Sequence, residues 1–357
     1  MNTLITEPTL AAESLMRNVL RGGRPIAEEY PLVFGAGAPG RVVSIGDADE
    51  VVSSCAILRR ECVLPGGGFS AGLIGSVVTD PRHRGEGLAA EVLASAEAEL
   101  AAQGCALALL WADDAAFYAD KGYVPIGTEL DYLVTPDLLP LLPDPDGVRA
   151  ATADDHAAIH ALYETHPERV ERTAAETAQL LAGPGVEALV RTRDGAVIAY
   201  TCVGRGEDLQ SVVHEWAGIA EDVLACVRAH LEARLATVQP NLFIMVPPTC
   251  KGLVHYFDIT RTPGALGVLG MAKLLDRGAA RDLLARYLPD GVSATVRGAE
   301  VVLAGPAGAV PMADDELLLA LVAPKGDRQV LEVLERELGA QLGALPLTPF
   351  LWGFDSI

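Results

Sequence analysis

The stretch Gly75-Ser76-Val77-Val78-Thr79-Asp80-Pro81-Arg82-His83-Arg84-Gly85-Glu86-Gly87-Leu88-Ala89 decides how this chain is read. An apolar, β-branched run ends at Thr79 and predicts the end of a strand. From Gly85 to Gln103 the period becomes helical. Leu88, Val92, Leu93, Ala96 and Leu100 fall on one face, Glu91, Glu97 and Glu99 mostly elsewhere, and Gly104 supplies a stop. The backbone N–H groups at such a helix start have no intrahelical partner, and the helix dipole adds partial positive charge there. Gly85 and Gly87 remove side chains from the approach, and Arg82 and Arg84 add positive charge. The pattern is suited to holding a pyrophosphate.

The surrounding elements fit one unit. A helix is expected over Thr9–Leu20, and strands over Arg41–Ile45, Val51–Arg59 and Gly72–Thr79. Gly66-Gly67-Gly68 reads as a hairpin connection, since no helix follows it. Beyond the long helix, Cys105–Trp111 is a continuous apolar run of buried-strand length. A short helix near Ala115–Asp120 and a strand near Tyr123–Gly127 follow. Strand, helix and fully apolar strand in that order predict a partly parallel sheet.

The spacing Arg84-x-x-Gly87-x-Ala89 resembles the R/Q-x-x-G-x-G/A signature of the GNAT superfamily of N-acetyltransferases. Some thirty residues on, Ala116-Phe117-Tyr118-Ala119-Asp120-Lys121-Gly122-Tyr123 resembles that family's F-Y-x-x-x-G-F/Y segment. The resemblance implies an acetyl-CoA co-substrate. Val77, Val78 and Thr79 would offer backbone groups to the pantetheine arm on a strand splayed from its neighbour. Arg84, Gly85, Glu86, Gly87, Leu88 and Ala89, with Arg82, would cradle the pyrophosphate. Tyr118 would protonate the leaving thiolate, a task suited to a phenol; its alternative is a packing tyrosine under the last strands. No serine or cysteine stands in a recognisable nucleophile setting, so direct transfer is the simpler expectation.

Pro136, Pro140, Pro143 and Pro145 fall within ten residues and predict a linker. After it the grammar repeats. Val148–Ala150 is a short strand, and Thr152 caps a helix carrying His156 and His160. Further helices cover Thr173–Leu181 and Ile219–Leu235, and strands cover Glu187–Arg193, Ala196–Val203, Gln210–His214 and Asn241–Val246. The position of the phosphate signature is taken by His214-Glu215-Trp216-Ala217-Gly218-Ile219-Ala220-Glu221-Asp222, whose Glu215, Glu221 and Asp222 would repel phosphate. This half is expected not to bind CoA. A smaller third part has strands around Val292–Val296 and Glu300–Ala304 and a helix around Asp327–Leu342.

The expected class is therefore α/β with mixed α+β sheets. Residues 1–135 form a catalytic GNAT module, 136–146 a linker, 147–262 a degenerate GNAT-like module and 263–357 a small α+β domain. This layout resembles the enhanced intracellular survival (Eis) acetyltransferases. Their third part is similar to sterol carrier proteins, and their terminal carboxylate enters the active site as the base. The equivalent here is the carboxylate of Ile357, behind the apolar segment Phe350-Leu351-Trp352-Gly353-Phe354. Asp113 and Asp114 are alternative bases, with a helix cap as their plain role.

Composition bounds the function. Of 357 residues, 50% are hydrophobic and 21% charged, which excludes a wholly disordered chain. A net charge of −21 argues against nucleic-acid and anionic-membrane partners and favours cationic acceptors. No transmembrane or signal segment is expected. Six cysteines without a C-x-x-C pair read as reduced core thiols in a cytoplasmic protein. Two histidines at i and i+4, His156 and His160, lack a third ligand, so no metal is expected. The resulting expectation is N-acetylation of a small, cationic primary amine, aminoglycoside- or polyamine-like, by a chain able to self-associate as a homo-oligomer. A peptide or protein amine, or an acyl-CoA sensor without turnover, are the alternatives.

Overall fold

The computed structural model describes the whole chain except Met1, Asn2, Thr6, Pro8, Ala48, Asp49 and Asp113. It resolves into two compact units. Unit one comprises residues 1–127, 268–349 and 356–357, and unit two comprises 128–267 and 350–355.

Unit one opens with β1 (Thr3–Ile5), α1 (Leu10–Leu20), α2 (Pro31–Phe34), β2 (Arg41–Gly46), β3 (Val51–Leu64) and β4 (Gly67–Thr79). The Thr9 hydroxyl accepts from the Ala12 amide at 3.0 Å and caps α1. β3 and β4 form a hairpin in which Leu64 opposes Gly67, so Pro65 and Gly66 make the turn and Gly67 and Gly68 already belong to β4. Next come α3 (Leu88–Ala102), β5 (Leu107–Leu110), α4 (Ala115–Ala119) and β6 (Val124–Ile126). The sheet order is β1-β2-β3-β4-β5, then Gly270–Leu274, then β6. Only β4 and β5 run parallel along this path.

Alternate residues of the strands feed two cores. Val43, Cys55, Ile57 and Ile74 pack with Leu88, Val92, Leu93, Ala96 and Leu100 of α3. Val42, Ala56 and Val78 pack with Ala12, Leu15 and Met16 of α1. Strand side chains alternate, so these clusters cover opposite faces of the sheet. Burying each large aliphatic side chain stabilises by about 1.5–3 kcal/mol, which fixes α3 on its face.

The remainder of unit one is a three-stranded antiparallel sheet, Ser293–Arg297, Glu300–Ala304 and Ala309–Met312, with helices Arg277–Ala285, Asp314–Val322 and Gln329–Leu338. The last helix ends at Leu338, where Gly339 takes a left-handed conformation, rather than at Leu342.

Unit two holds a seven-stranded mixed sheet. Its order is Gly264–Gly267, Glu129–Val134, Leu242–Val246, Asp208–Ala217, Ala196–Arg205, Glu187–Arg193 and Val148–Ala150. Helices His156–Tyr163, Ala174–Leu181, Ala220–Arg234 and Lys251–Ile259 accompany it. The stretch after residue 263 is thus shared among three sheets. Gly264–Gly267 and Gly270–Leu274 are strands by pairing, not by propensity. Their glycines and small residues carry little local β signal, and neighbouring strands impose the conformation. Among the described residues no helix is long and apolar enough to cross a membrane.

Candidate active site

The site is set by an irregularity in β4. Ala56 pairs with Gly75 and Ser54 with Val78, so Ser76 and Val77 together oppose one residue of β3. This is a β-bulge, and Ser76 carries its strain at φ +49°. On the other edge, β4 pairs with β5 only from Ala71 to Leu73, opposite Leu107 to Leu109. Beyond Leu73 no further β4–β5 pairing follows among the described residues, while Val78 and Thr79 stay paired with Ser54 and Ser53 of β3, and the Val78 carbonyl accepts from the Ser53 hydroxyl at 3.0 Å.

β4 leads into the loop before α3. Asp80 caps a single turn at Pro81–His83. Arg84, Gly85, Glu86 and Gly87 are exposed, Leu88 is buried, and Ala89 lies partly buried behind it. Gly85 and Gly87 sit at φ +85° and +83°, where L side chains are disfavoured, with open space on their Cβ sides. These conformations delay the helix to Leu88, three residues later than the apolar period predicts. No side chain caps its N-terminus.

The two arginines differ. Arg84 is exposed. Arg82 donates to Asp80 at 2.8 Å and to Glu50 at 3.1 Å. Hydrogen bonds from the Arg82 side chain and amide hold the Asp80 carboxyl down to about 2. Arg82 is therefore partly neutralised where the sequence gives it a free charge. His83 faces Glu86 at 3.3 Å.

Tyr118 lies half-buried on α4 and packs against the α3-side cluster, as does Val77. Its ring meets Phe117 and Tyr123 edge-on at 5.0 and 5.8 Å. The Tyr123 hydroxyl donates to Glu97, which Lys273 holds at 2.7 Å, and burial pushes that phenol up. Asp114 accepts from the Phe117 amide at 3.2 Å and serves as the N-cap of α4. Asp113 lies outside the described residues. Ile357 packs on the α1-side cluster with Val78, and its carbonyl group lies against Gly75. The sequence-predicted residues therefore gather on both faces of one strand opening. Val77 and Tyr118 lie on the α3 side, and Ile357 on the α1 side.

Two features escaped sequence reading. Gly75 stands next to the bulge without a motif to mark it. Trp111, 39% exposed at the end of β5, roofs an apolar cleft of about 500 Å³ between Ala115, Ala116 and Ala119 of α4 and Gly270 and Met271. Ala112 joins this cleft to the cluster holding Val77 and Tyr118. Among the described residues no group of three or more His, Cys, Asp or Glu is placed to hold a metal ion.

Residues 27–126 match a family model described as an acetyltransferase (GNAT) domain, whose members use acetyl-CoA as co-substrate. No curated protein matches the sequence. Among solved structures, a probable N-acyltransferase from Enterococcus faecalis is 14% identical, with 99% of each chain covered and a TM-score of 0.69. A GCN5-related N-acetyltransferase from Kribbella flavida is 15% identical over 100% of both chains, with a TM-score of 0.67. Eis1 from Mycobacterium abscessus is 15% identical, covers 98% of this chain and 99% of its own, and has a TM-score of 0.59. At these identities the likeness is one of fold. Residues 27–126 thus match the GNAT acetyltransferase domain, and over nearly its whole length the chain is similar in fold to GCN5-related N-acetyltransferases and to Eis1.

Proposed function

We propose that the protein is an acetyl-CoA-dependent N-acetyltransferase acting on a primary amine of a small, cationic acceptor. One observation carries this reading: past the end of β4–β5 pairing, and after the single turn Pro81–His83, the chain forms an exposed glycine loop and a helix N-terminus without a side-chain cap. Backbone amides and Arg84 there suit the pyrophosphate, and the end of β4–β5 pairing before Val77–Thr79 is consistent with room for the pantetheine arm.

In the step proposed, the unprotonated amine attacks the thioester carbon and a C–N bond forms. The main-chain carboxylate of Ile357 takes the amine proton. The C–S bond then breaks, its electron pair stays on sulfur, and the Tyr118 phenol supplies the proton for the thiol. A phenol near 10 and a thiol near 8.5 are close enough in acidity for this exchange. Solvent reprotonates Tyr118. A cysteine nucleophile is disfavoured, because burial pushes the Cys55 and Cys226 thiols up to about 12. The net charge of −21 favours a cationic acceptor at long range.

The test is a calorimetric titration of acetyl-CoA, with Arg84→Glu as control, followed by a panel of an aminoglycoside, a polyamine and a lysine peptide read by CoA release. One equivalent per chain, lost in the control, with turnover of a small amine supports the reading. Two equivalents overturn the assignment of unit two as degenerate. Binding without turnover of any amine points to an acyl-CoA sensor, and turnover of the peptide alone moves the acceptor class to proteins.

A further inference from the structure

Gly75 occupies an ordinary ladder position of β4, paired with Ala56. It is not among the residues with positive φ, so its backbone does not require glycine. Alanine fits such a strand at no conformational cost. What the position excludes is volume. A Cβ built there would overlap the carbonyl group of Ile357 and come within 3.0 Å of its Cγ1. The neighbours Ile74 and Val78 point to opposite faces, Ile74 into the α3-side cluster and Val78 into the α1-side cluster that also holds Ile357. Gly75 lies two residues past the last β4–β5 pair and one before the bulge. The main-chain end of Ile357 therefore enters where the strands part, through a gap one methyl group wide.

We propose that Gly75 is the positioning residue that seats the Ile357 carboxylate at this opening. The inference deepens the reading of that carboxylate as the base and rests on it. Gly75 touches the Ile357 main-chain end but contributes no group to the chemistry in this scheme. It acts by leaving room for the group that does.

The first measurement needs no acceptor. Carboxypeptidase Y is applied to the full chain and to Gly75→Ala, with release of Ile357 followed by intact mass. The seated end should be trimmed at least about tenfold more slowly than the displaced end of the variant. Equal rates overturn the seat. Unchanged acetyl-CoA affinity in Gly75→Ala shows that unit one still folds.

The second measurement is turnover with the fastest amine of the panel, for Gly75→Ala, for a chain lacking Ser356 and Ile357, and for both changes together. Loss of a positioned base costs on the order of 10²-fold in kcat. Each single change should show that loss with KM for acetyl-CoA held. The combined variant should fall no more than about threefold below the shortened chain, because a methyl group at Gly75 then displaces nothing. Losses that multiply mean ordinary structural damage and overturn the seat while the base reading stands. A shortened chain that keeps its kcat overturns the base reading instead, and the trimming rates then decide the seat alone.

Discussion

Two strand-to-helix junctions, one in each unit, start from the same order of elements and end in opposite states. In unit one, β4 parts from β5 after Leu73, and residues 80–87 form an open loop. In unit two, Asp208–Ala217 runs parallel to Leu242–Val246 only at Val212 and Val213, so these strands part as well. There the gap is filled by side chains. The Trp216 indole donates to the Met245 carbonyl at 2.8 Å, and His166 lies 2.7 Å from the Trp216 carbonyl. Trp352 packs 4.3 Å from the His166 ring and 5.1 Å from Trp216. Only Gly218 and Ile219 separate strand from helix, and Asp222 in the first turn accepts from Arg191 and Arg193 at 2.8 and 3.0 Å. The positive end of that helix is met by its own carboxylate, which leaves an anion little to gain. The shared topology supplies a slot; the side chains decide whether it serves a ligand or a core.

The largest effect expected on this contrast lies in the buried charges of unit two. Arg172 is fully buried and holds Glu215 at 2.6 Å and Asp355 at 2.7 Å, with its guanidinium 4.1 Å from the Tyr163 ring centroid. Tyr200 donates to the other Glu215 oxygen at 3.0 Å. Arg172→Met leaves two carboxylates buried without their cation. It should cost about 3–5 kcal/mol in denaturant unfolding, because removing one partner strands the others in low dielectric. A loss under about 1 kcal/mol would mean that the cluster is hydrated and the slot only loosely filled.

A matched pair of glycine substitutions sharpens the comparison further. Gly87→Val places a β-branched side chain at φ +83° in the open loop. Acetyl-CoA affinity should fall about 100-fold, equivalent to about 2.7 kcal/mol, with a loss of stability of about 1–3 kcal/mol from the left-handed φ. Gly218→Ala puts a methyl group 2.5 Å from the Ala199 Cβ in the closed junction. It should destabilise unit two by about 1–3 kcal/mol through overpacking and leave acetyl-CoA affinity intact. Calorimetry and melting on the two variants read binding and stability separately; a binding loss in Gly218→Ala would reopen unit two as a CoA site.

The closed junction should also respond to acid. Burial holds the His166 imidazole down to about 4 and the fully buried His214 down to about 3, from 6.5. The native forms stay neutral while the unfolded chain takes up protons below about 6.5. The stabilisation is complete above that pH and is lost as pH falls toward 4 and 3. Each histidine contributes a slope of about 1.4 kcal/mol per pH unit in that window. Melting between pH 7.5 and 5 should show the decline, and His166→Gln should flatten it by about one histidine's share. Glu187, held down to about 2 mainly by His230, is ionised throughout that range and does not confuse the reading.

How far this contrast was legible depends on the sequence distance over which each part is decided. The α3 face and the Thr152–Asp155 cap are local. The cap forms as read, with the Thr152 amide 2.8 Å from Asp155 and Arg149 paired to the same carboxylate at 2.7 Å. The open loop was legible because glycine pattern and helical period meet within ten residues. Glu215 was legible only as a charge. Read alone, it repels phosphate; folded, it is turned inward by Arg172, 43 positions away, and by Tyr200. Glu221 alone of the three acids remains exposed. The strands Gly264–Gly267 and Gly270–Leu274 and the role of Gly75 were not legible, because partners from distant parts of the chain define them.

The smallest expected effect separates the two arginines of the open loop. Arg82 is committed to Asp80 and Glu50, whereas Arg84 is exposed beside the two glycines. Replacing Arg82 by alanine removes a cation whose charge two neighbouring carboxylates already offset, so acetyl-CoA affinity should change by no more than about threefold. Arg84→Ala should cost more, about tenfold, and its deficit should shrink as salt rises, since an exposed charge acts through a field screened over about 10 Å at 0.1 M. Calorimetric titrations at low and high salt check both. If Arg82→Ala proves the more damaging, Arg82 leaves its carboxylates when the pyrophosphate arrives, and the open junction of unit one is assembled by its ligand rather than waiting for it.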